Sequence, residues 1–249
     1  MNYTVQATQQ TPAYIIYLID VSASMNIQMG DKTRIEIVEA ALNKAIRQMV
    51  FRSTKGSRVS PRYRISIFAY SDHVYDVLDG TKGIDELARK SDVKLRTERL
   101  TDTARAFSVV ERKLKEELSY MKDCPAPLIF HMTDGEYTGE DPEPVVNRIM
   151  NMRVNDGPVL VENIFISDDV VDIPITDVKK WTGIMSEDVL KDEYANKLKR
   201  MSSPIPESYR ELMIDEGYSI QQGAKMLLPG TNPELVSLGF QMSSATPIR

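Results

Sequence analysis

The first strong signal along the chain is Tyr14 to Ile19, a continuous apolar run rich in β-branched and aromatic side chains that stops at Asp20. A run without polar interruption suits a strand buried on both faces. From Arg34 the period changes: Ile35, Val38, Leu42, Ala45, Ile46 and Met49 recur at helical spacing and predict a helix of about four turns. Arg64–Tyr70 and Val74–Leu78, separated by Ser71, Asp72 and His73, read as a hairpin. A long polar and charged segment then runs to Arg99.

Phe107, Val110, Leu114 and Leu118 mark a second amphipathic helix, and Leu128–Met132 a short apolar strand that stops at Thr133-Asp134-Gly135. Pro142–Val154 reads as a helix with Pro144 in its first turn and Val145, Ile149 and Met152 on one face. Val159–Ser167 is the next strand. Beyond it Asp168, Asp169 and Asp172 open a segment without clean period as far as Glu193, and a long surface excursion is expected there. Tyr194–Met201 and Ser208–Ile214 return to helical spacing, Lys225–Pro229 suits a last strand and Pro233–Met242 a terminal helix. Strands alternating with helices predict the α/β class: an open, mainly parallel twisted sheet with helices on both faces and one short antiparallel edge strand. With no repeat and no low-complexity linker, residues 12–246 are expected to form one domain between a flexible arm, 1–11, and a short tail, 247–249.

Composition narrows the classes. With 249 residues, 42% hydrophobic and 27% charged, the chain has the balance of an ordinary globular protein. Its longest apolar runs, Tyr14–Ile19 and Val159–Ile166, fall well short of the roughly 20 residues that cross a bilayer. Met1–Thr11 lacks a signal-peptide pattern and Cys124 is the lone cysteine, so no internal disulfide forms and a cytoplasmic location is expected. A net charge of −5 gives no global attraction for phosphate backbones. The densest basic stretch, Lys55, Arg58, Arg62 and Arg64, lacks interleaved aromatic residues and reads as a solvated loop, so neither nucleic acid nor membrane is expected as a partner.

Candidate chemistry sits where the first strand ends. Asp20-Val-Ser22-Ala-Ser24 falls in a loop at the carboxyl edge of the sheet, where ligands of open parallel sheets collect. Alternate residues of a tight loop can turn toward one point while Val21 and Ala23 face elsewhere. Carboxylate and hydroxyl oxygens are hard donors that suit Mg²⁺, Mn²⁺ or Ca²⁺ and do not select zinc or copper. Taken alone, the same residues could equally cap a turn or a helix.

Asp20-x-Ser22-x-Ser24 after an apolar strand resembles the metal-ion-dependent adhesion site of von Willebrand factor A and integrin inserted domains. That resemblance implies two further ligands, an Asp and a Thr. Asp134 matches the first, and Thr101, in Thr101-Asp-Thr103-Ala-Arg-Ala106-Phe107, matches the second, with Thr103 as the alternative; Leu100 stands where many members carry Gly. The implied function is a metal-dependent protein–protein interaction module without enzymatic activity. One Mg²⁺, or Mn²⁺ or Ca²⁺ in its place, would be held by Asp20, Ser22, Ser24, Thr101 and Asp134, leaving a replaceable position for a Glu or Asp of a protein partner. The resemblance extends to intracellular bacterial proteins of this kind, including the tellurite-resistance type linked to stress response. It implies an adaptor working beside a protein kinase, a phosphatase or an AAA+ ATPase.

Two other classes compete. A Mg²⁺-dependent phosphohydrolase also uses a strand-terminal Asp, but such enzymes usually show Asp-x-Asp where this chain has Ser22, and no Gly-x-Ser-x-Gly elbow or Gly-x-x-x-x-Gly-Lys loop is present. His73 and His131 are the only imidazoles, and His131 lies in an apolar strand where a satisfied buried histidine is expected. The other competitor is a structural subunit whose metal only stiffens loops. Glu136, Asp102, Asp168 and Asp169 read as solvated or supporting carboxylates, and Met132, Met150 and Met152 as core filler.

Overall fold

Uninterrupted hydrophobicity puts Ala13–Asp20 (β1) at the centre of the sheet, with every residue buried. The computed structural model describes residues 3–98, 101–167, 170–171, 174–231 and 233–244. The remaining sheet strands are Tyr63–Tyr70 (β2), Val74–Asp76 (β3), Lys82–Gly83 (β4), Leu128–Thr133 (β5), Leu160–Phe165 (β6) and Leu227–Pro229 (β7). Their order is β7-β6-β5-β1-β2-β3, with β4 also on β2. All pairings are parallel except those of β3 and β4, which both run antiparallel to β2. The expected single antiparallel edge strand is thus two short segments, and β4 lies inside the polar stretch that carried no strand signal.

The helices of eight residues or more are Arg34–Ser53 (α1), Thr103–Glu117 (α2), Glu143–Asn151 (α3), Glu193–Arg200 (α4), Glu207–Asp215 (α5) and Pro233–Ser243 (α6). Side chains alternate across a strand, so β1 feeds two cores. Ile15, Tyr17 and Ile19 pack with Val38, Leu42 and Met49 of α1 and with Leu235, Leu238 and Phe240 of α6. Tyr14, Ile16 and Leu18 face Phe107 and Val110 of α2, Val145 and Ile149 of α3 and Leu198 of α4.

Two caps fix where helices begin. Thr33 and Glu36 form a reciprocal capping box, with the Thr33 amide donating to Glu36 Oε2 at 2.8 Å, so Arg34 is the first residue of α1. Asp102 caps α2 by accepting from the Arg105 amide at 3.0 Å. That cap starts the helix at Thr103, a turn before the apolar period begins at Phe107.

Outside the regular elements, Val170, Val178, Ile184 and Leu190 are buried, and Ile184 bridges Lys225. The stretch expected as a surface excursion is therefore anchored in the fold, by apolar residues too widely spaced to show a period. Asp168, Asp169 and Asp172 lie outside the described residues, as does the 247–249 tail. Of the segment 1–11, the described part is attached: the Thr4 and Val5 amides donate to Asp156 Oδ1 at 2.9 and 3.0 Å, and Ala7 is buried. Among the described residues no helix is long and apolar enough to cross a membrane.

Candidate metal centre

Register brings the site together. Asp20 pairs with Tyr70 across β1 and β2, while Ile19 pairs with Met132 of β5, so Asp20, Tyr70 and Thr133 end their strands side by side. Asp20 is fully buried, and both carboxylate oxygens are engaged: Oδ1 accepts from the Ser22 amide at 2.8 Å and Oδ2 from the Thr133 hydroxyl at 2.7 Å. Burial pushes the Asp20 carboxyl up to about 6, against the lowering effect of the Thr133 and Ser22 hydrogen bonds and with the neighbouring Asp134 adding to the rise.

Ser22 precedes a short 3₁₀ turn, Ala23–Asn26, in which Met25 donates its amide to the Ser22 carbonyl at 3.0 Å. Val21 and Met25 point into the core, which leaves Ser22 and Ser24 on the outer side of the loop. Their hydroxyls lie 3.0 Å apart. Ser24 donates to Asp134 Oδ1 at 2.7 Å, and the Ser22 hydroxyl reaches the same oxygen at 3.4 Å. Asp20, Ser22, Ser24 and Asp134 therefore form one connected set. The remaining Asp134 oxygen, Oδ2, accepts from Arg34 Nη1 at 2.8 Å.

Thr101 joins through its main chain. Its carbonyl accepts from the Thr138 amide at 2.8 Å and the Thr138 hydroxyl at 2.9 Å, stapling the loop before α2 to the loop that carries Asp134. On the other side, the Asp102 amide donates to Ser71 and the Glu98 amide to Val21. No hydrogen bond among the described residues links the Thr101 hydroxyl to the other four side chains. Thr103 is fully buried, with its hydroxyl near those of Tyr70 and Tyr194 beneath the site. Glu136 is exposed and Asp102 half-buried.

Three participants escape a reading of the sequence: Thr133, which holds Asp20; Arg34, which holds Asp134; and a polar chain below them. Tyr70 and His131 Nε2 are 2.8 Å apart, His131 Nδ1 and Asn163 Oδ1 2.7 Å, and Asn163 donates onward to Ser202 at 2.8 Å. The Asn163 oxygen only accepts, so Nδ1 carries the proton and Nε2 accepts from Tyr70. His131 is thus a neutral, fully satisfied histidine, its pKa lowered to about 4 by burial. The one available hint for Arg34 was a cation in the first turn of a helix, where the dipole disfavours it.

The set fits a hard divalent cation. Its donors are all oxygens, and the Asp20 and Asp134 carboxylates are both buried, with Arg34 as the one cation bonded to them among the described residues. Beside it, Asp72, His73 and Glu98 bring ligand atoms within 4.8 Å of one another, but the Ser71 hydroxyl lies between the two carboxylates, 2.9 Å from Asp72 Oδ1 and 2.8 Å from Glu98 Oε2, and His73 pairs with Asp72.

Residues 15–136 match the model of the von Willebrand factor type A domain. Proximal thread matrix protein 1 from the mussel byssus is similar in fold, with 11% identity and a TM-score of 0.52, over 97% of this chain and 46% of that one. The chain thus spans less than half of that protein's length. The conserved hypothetical protein BatB from Bacteroides thetaiotaomicron shares 12% identity and a TM-score of 0.50 over 93% of this chain and 98% of its own. At such identities the likeness is one of fold. No curated protein matches the chain in sequence.

Proposed function

We propose that this chain, whose residues 15–136 match the model of the von Willebrand factor type A domain, uses one Mg²⁺, held by Asp20, Ser22, Ser24, Thr101 and Asp134, to bind an acidic side chain of a protein partner. The observation that carries this reading is the connected oxygen set, in which Ser22 and Ser24 converge on Asp134 Oδ1 above a buried and doubly anchored Asp20. Thr101 is preferred to Thr103 because the Thr103 hydroxyl sits among core tyrosines, whereas Thr101 lies in the loop stapled to the Asp134 loop.

When bound, the ion supplies a Lewis-acidic coordination position that an oxygen ligand can occupy. Asp20 and Asp134 provide the only negative charges of the proposed ligand set, and Ser22, Ser24 and Thr101 offer neutral hydroxyls. A set so sparing in charge favours a Glu or Asp as the incoming ligand. His131 supports a non-catalytic role, because Tyr70 and Asn163 hold both of its nitrogens and leave no free imidazole base there. Residues 12–246 act as one domain in this reading, and the partner is a cytoplasmic kinase, phosphatase or AAA+ ATPase.

Capture of partners from native lysate on the full chain, in Mg²⁺ and in EDTA, tests the proposal. A partner retained in Mg²⁺, and lost both in EDTA and with folded Asp20→Ala bait, is expected. The same partner held by folded Asp20→Ala in EDTA would replace metal-mediated binding with a conventional side-surface interface.

A further inference from the structure

Arg34 is an expensive residue where it stands. The capping box places it in the first turn of α1, at the positive end of the helix dipole, where a cation is disfavoured. Its side chain is 18% exposed, and its partner Asp134 is fully buried at the side chain. Among the described residues the buried Arg34 Nε has no hydrogen-bond partner, so the fork is only partly satisfied. Buried ion pairs seldom add net stability, because desolvation offsets their attraction. What the pair does accomplish is local: it neutralises one of two buried carboxylates that converge on Ser22, Asp20 at its amide and Asp134 at its hydroxyl.

We propose that Arg34 is a built-in counter-cation that holds Asp134 in the metal-free protein and competes with the metal ion for it, thereby setting metal affinity. This rests on the metal-site reading above. Arg34 occupies Oδ2, while Ser24 and Ser22 hold Oδ1, so Asp134 keeps two anchors if the guanidinium is removed. Loss of the Arg34 charge therefore leaves the carboxylate in place, uncompensated until an ion arrives. The metal-free state loses stability and the metal-bound state does not, so affinity rises by linkage.

The test compares wild type, Arg34→Met and Arg34→Lys as full chains, by melting in EDTA and in saturating Mn²⁺ and by calorimetric Mn²⁺ titration. Arg34→Met is expected to melt below wild type in EDTA, to recover most of the gap in Mn²⁺, and to bind Mn²⁺ about tenfold more tightly. Arg34→Lys, which keeps the charge, is expected to stay near wild type. An equal loss of melting temperature in both media with unchanged affinity would make Arg34 merely structural, and weaker Mn²⁺ binding would make it a required positioner of Asp134; either overturns the proposal. Arg34→Gln, polar but uncharged, serves if the methionine variant does not fold. A wild-type chain that binds no Mn²⁺ overturns the metal reading itself, whereas wild-type binding with unaltered Arg34→Met overturns only this inference.

Discussion

His131 is the side chain whose charge the fold suppresses most plainly among its imidazoles. Its pKa falls from 6.5 to about 4 because a buried imidazolium would be desolvated, so the unfolded chain takes up a proton earlier than the folded one as pH drops. The contribution to stability is complete above about pH 6.5 and erodes toward pH 4, by on the order of 3 kcal/mol in all. Denaturant unfolding in EDTA across that window should show a shallower loss of stability with falling pH for His131→Gln than for wild type. Parallel curves would mean that His131 is not held neutral. Residues of this kind divide cleanly by legibility. Asp20, Ser22 and Ser24 stand out because their spacing is local. Thr133 and Arg34 do not, because each acquires its role from a carboxylate 113 or 100 positions away.

Among elements, those with many apolar repeats were legible to within a turn: α1 begins at Arg34 as its period indicates, β6 falls inside its apolar run, and β5 exceeds its run by Thr133 alone. Lys82–Gly83 is a two-residue strand with no room for a period, and its pairing to Arg64 and Ile65 comes entirely from its partner. In the same way the 170–193 stretch hides its anchors among polar residues. The terminal helix offers a test in which two effects oppose each other. Gly239 lies inside α6, where alanine would ordinarily gain about 0.5–1 kcal/mol. A Cβ there would approach Ile164 Cδ1 to 2.3 Å, Ile164 Cγ1 to 3.0 Å and Glu162 Oε1 to 3.3 Å. Overpacking of that kind costs about 1–3 kcal/mol, which outweighs the propensity gain. Gly239→Ala is therefore expected to melt below wild type. A melting temperature at or above wild type would show that α6 sits less tightly on β6 than these distances imply.

For the molecule as a whole, the parallel sheet gathers loops from three separate strand ends at one edge and lays the Asp20, Thr101 and Asp134 segments against one another. The α/β layering was legible because strands and helices alternate along the chain. The closure of the site was not, since it depends on main-chain staples such as Thr138 to Thr101 that leave no mark on composition. The central claim is that this edge holds one divalent ion through Asp20. A ligand bound only by the folded state stabilises it by about 2.7 kcal/mol at one hundred times its dissociation constant, so binding and melting must agree. The most direct measurement is calorimetric titration of the full chain with Mn²⁺ and with Mg²⁺, for wild type and Asp20→Ala, with circular dichroism confirming that both are folded. One ion per wild-type chain and none for Asp20→Ala is the expected result. A wild-type chain that binds neither ion, or a folded Asp20→Ala that binds as wild type does, would contradict the account.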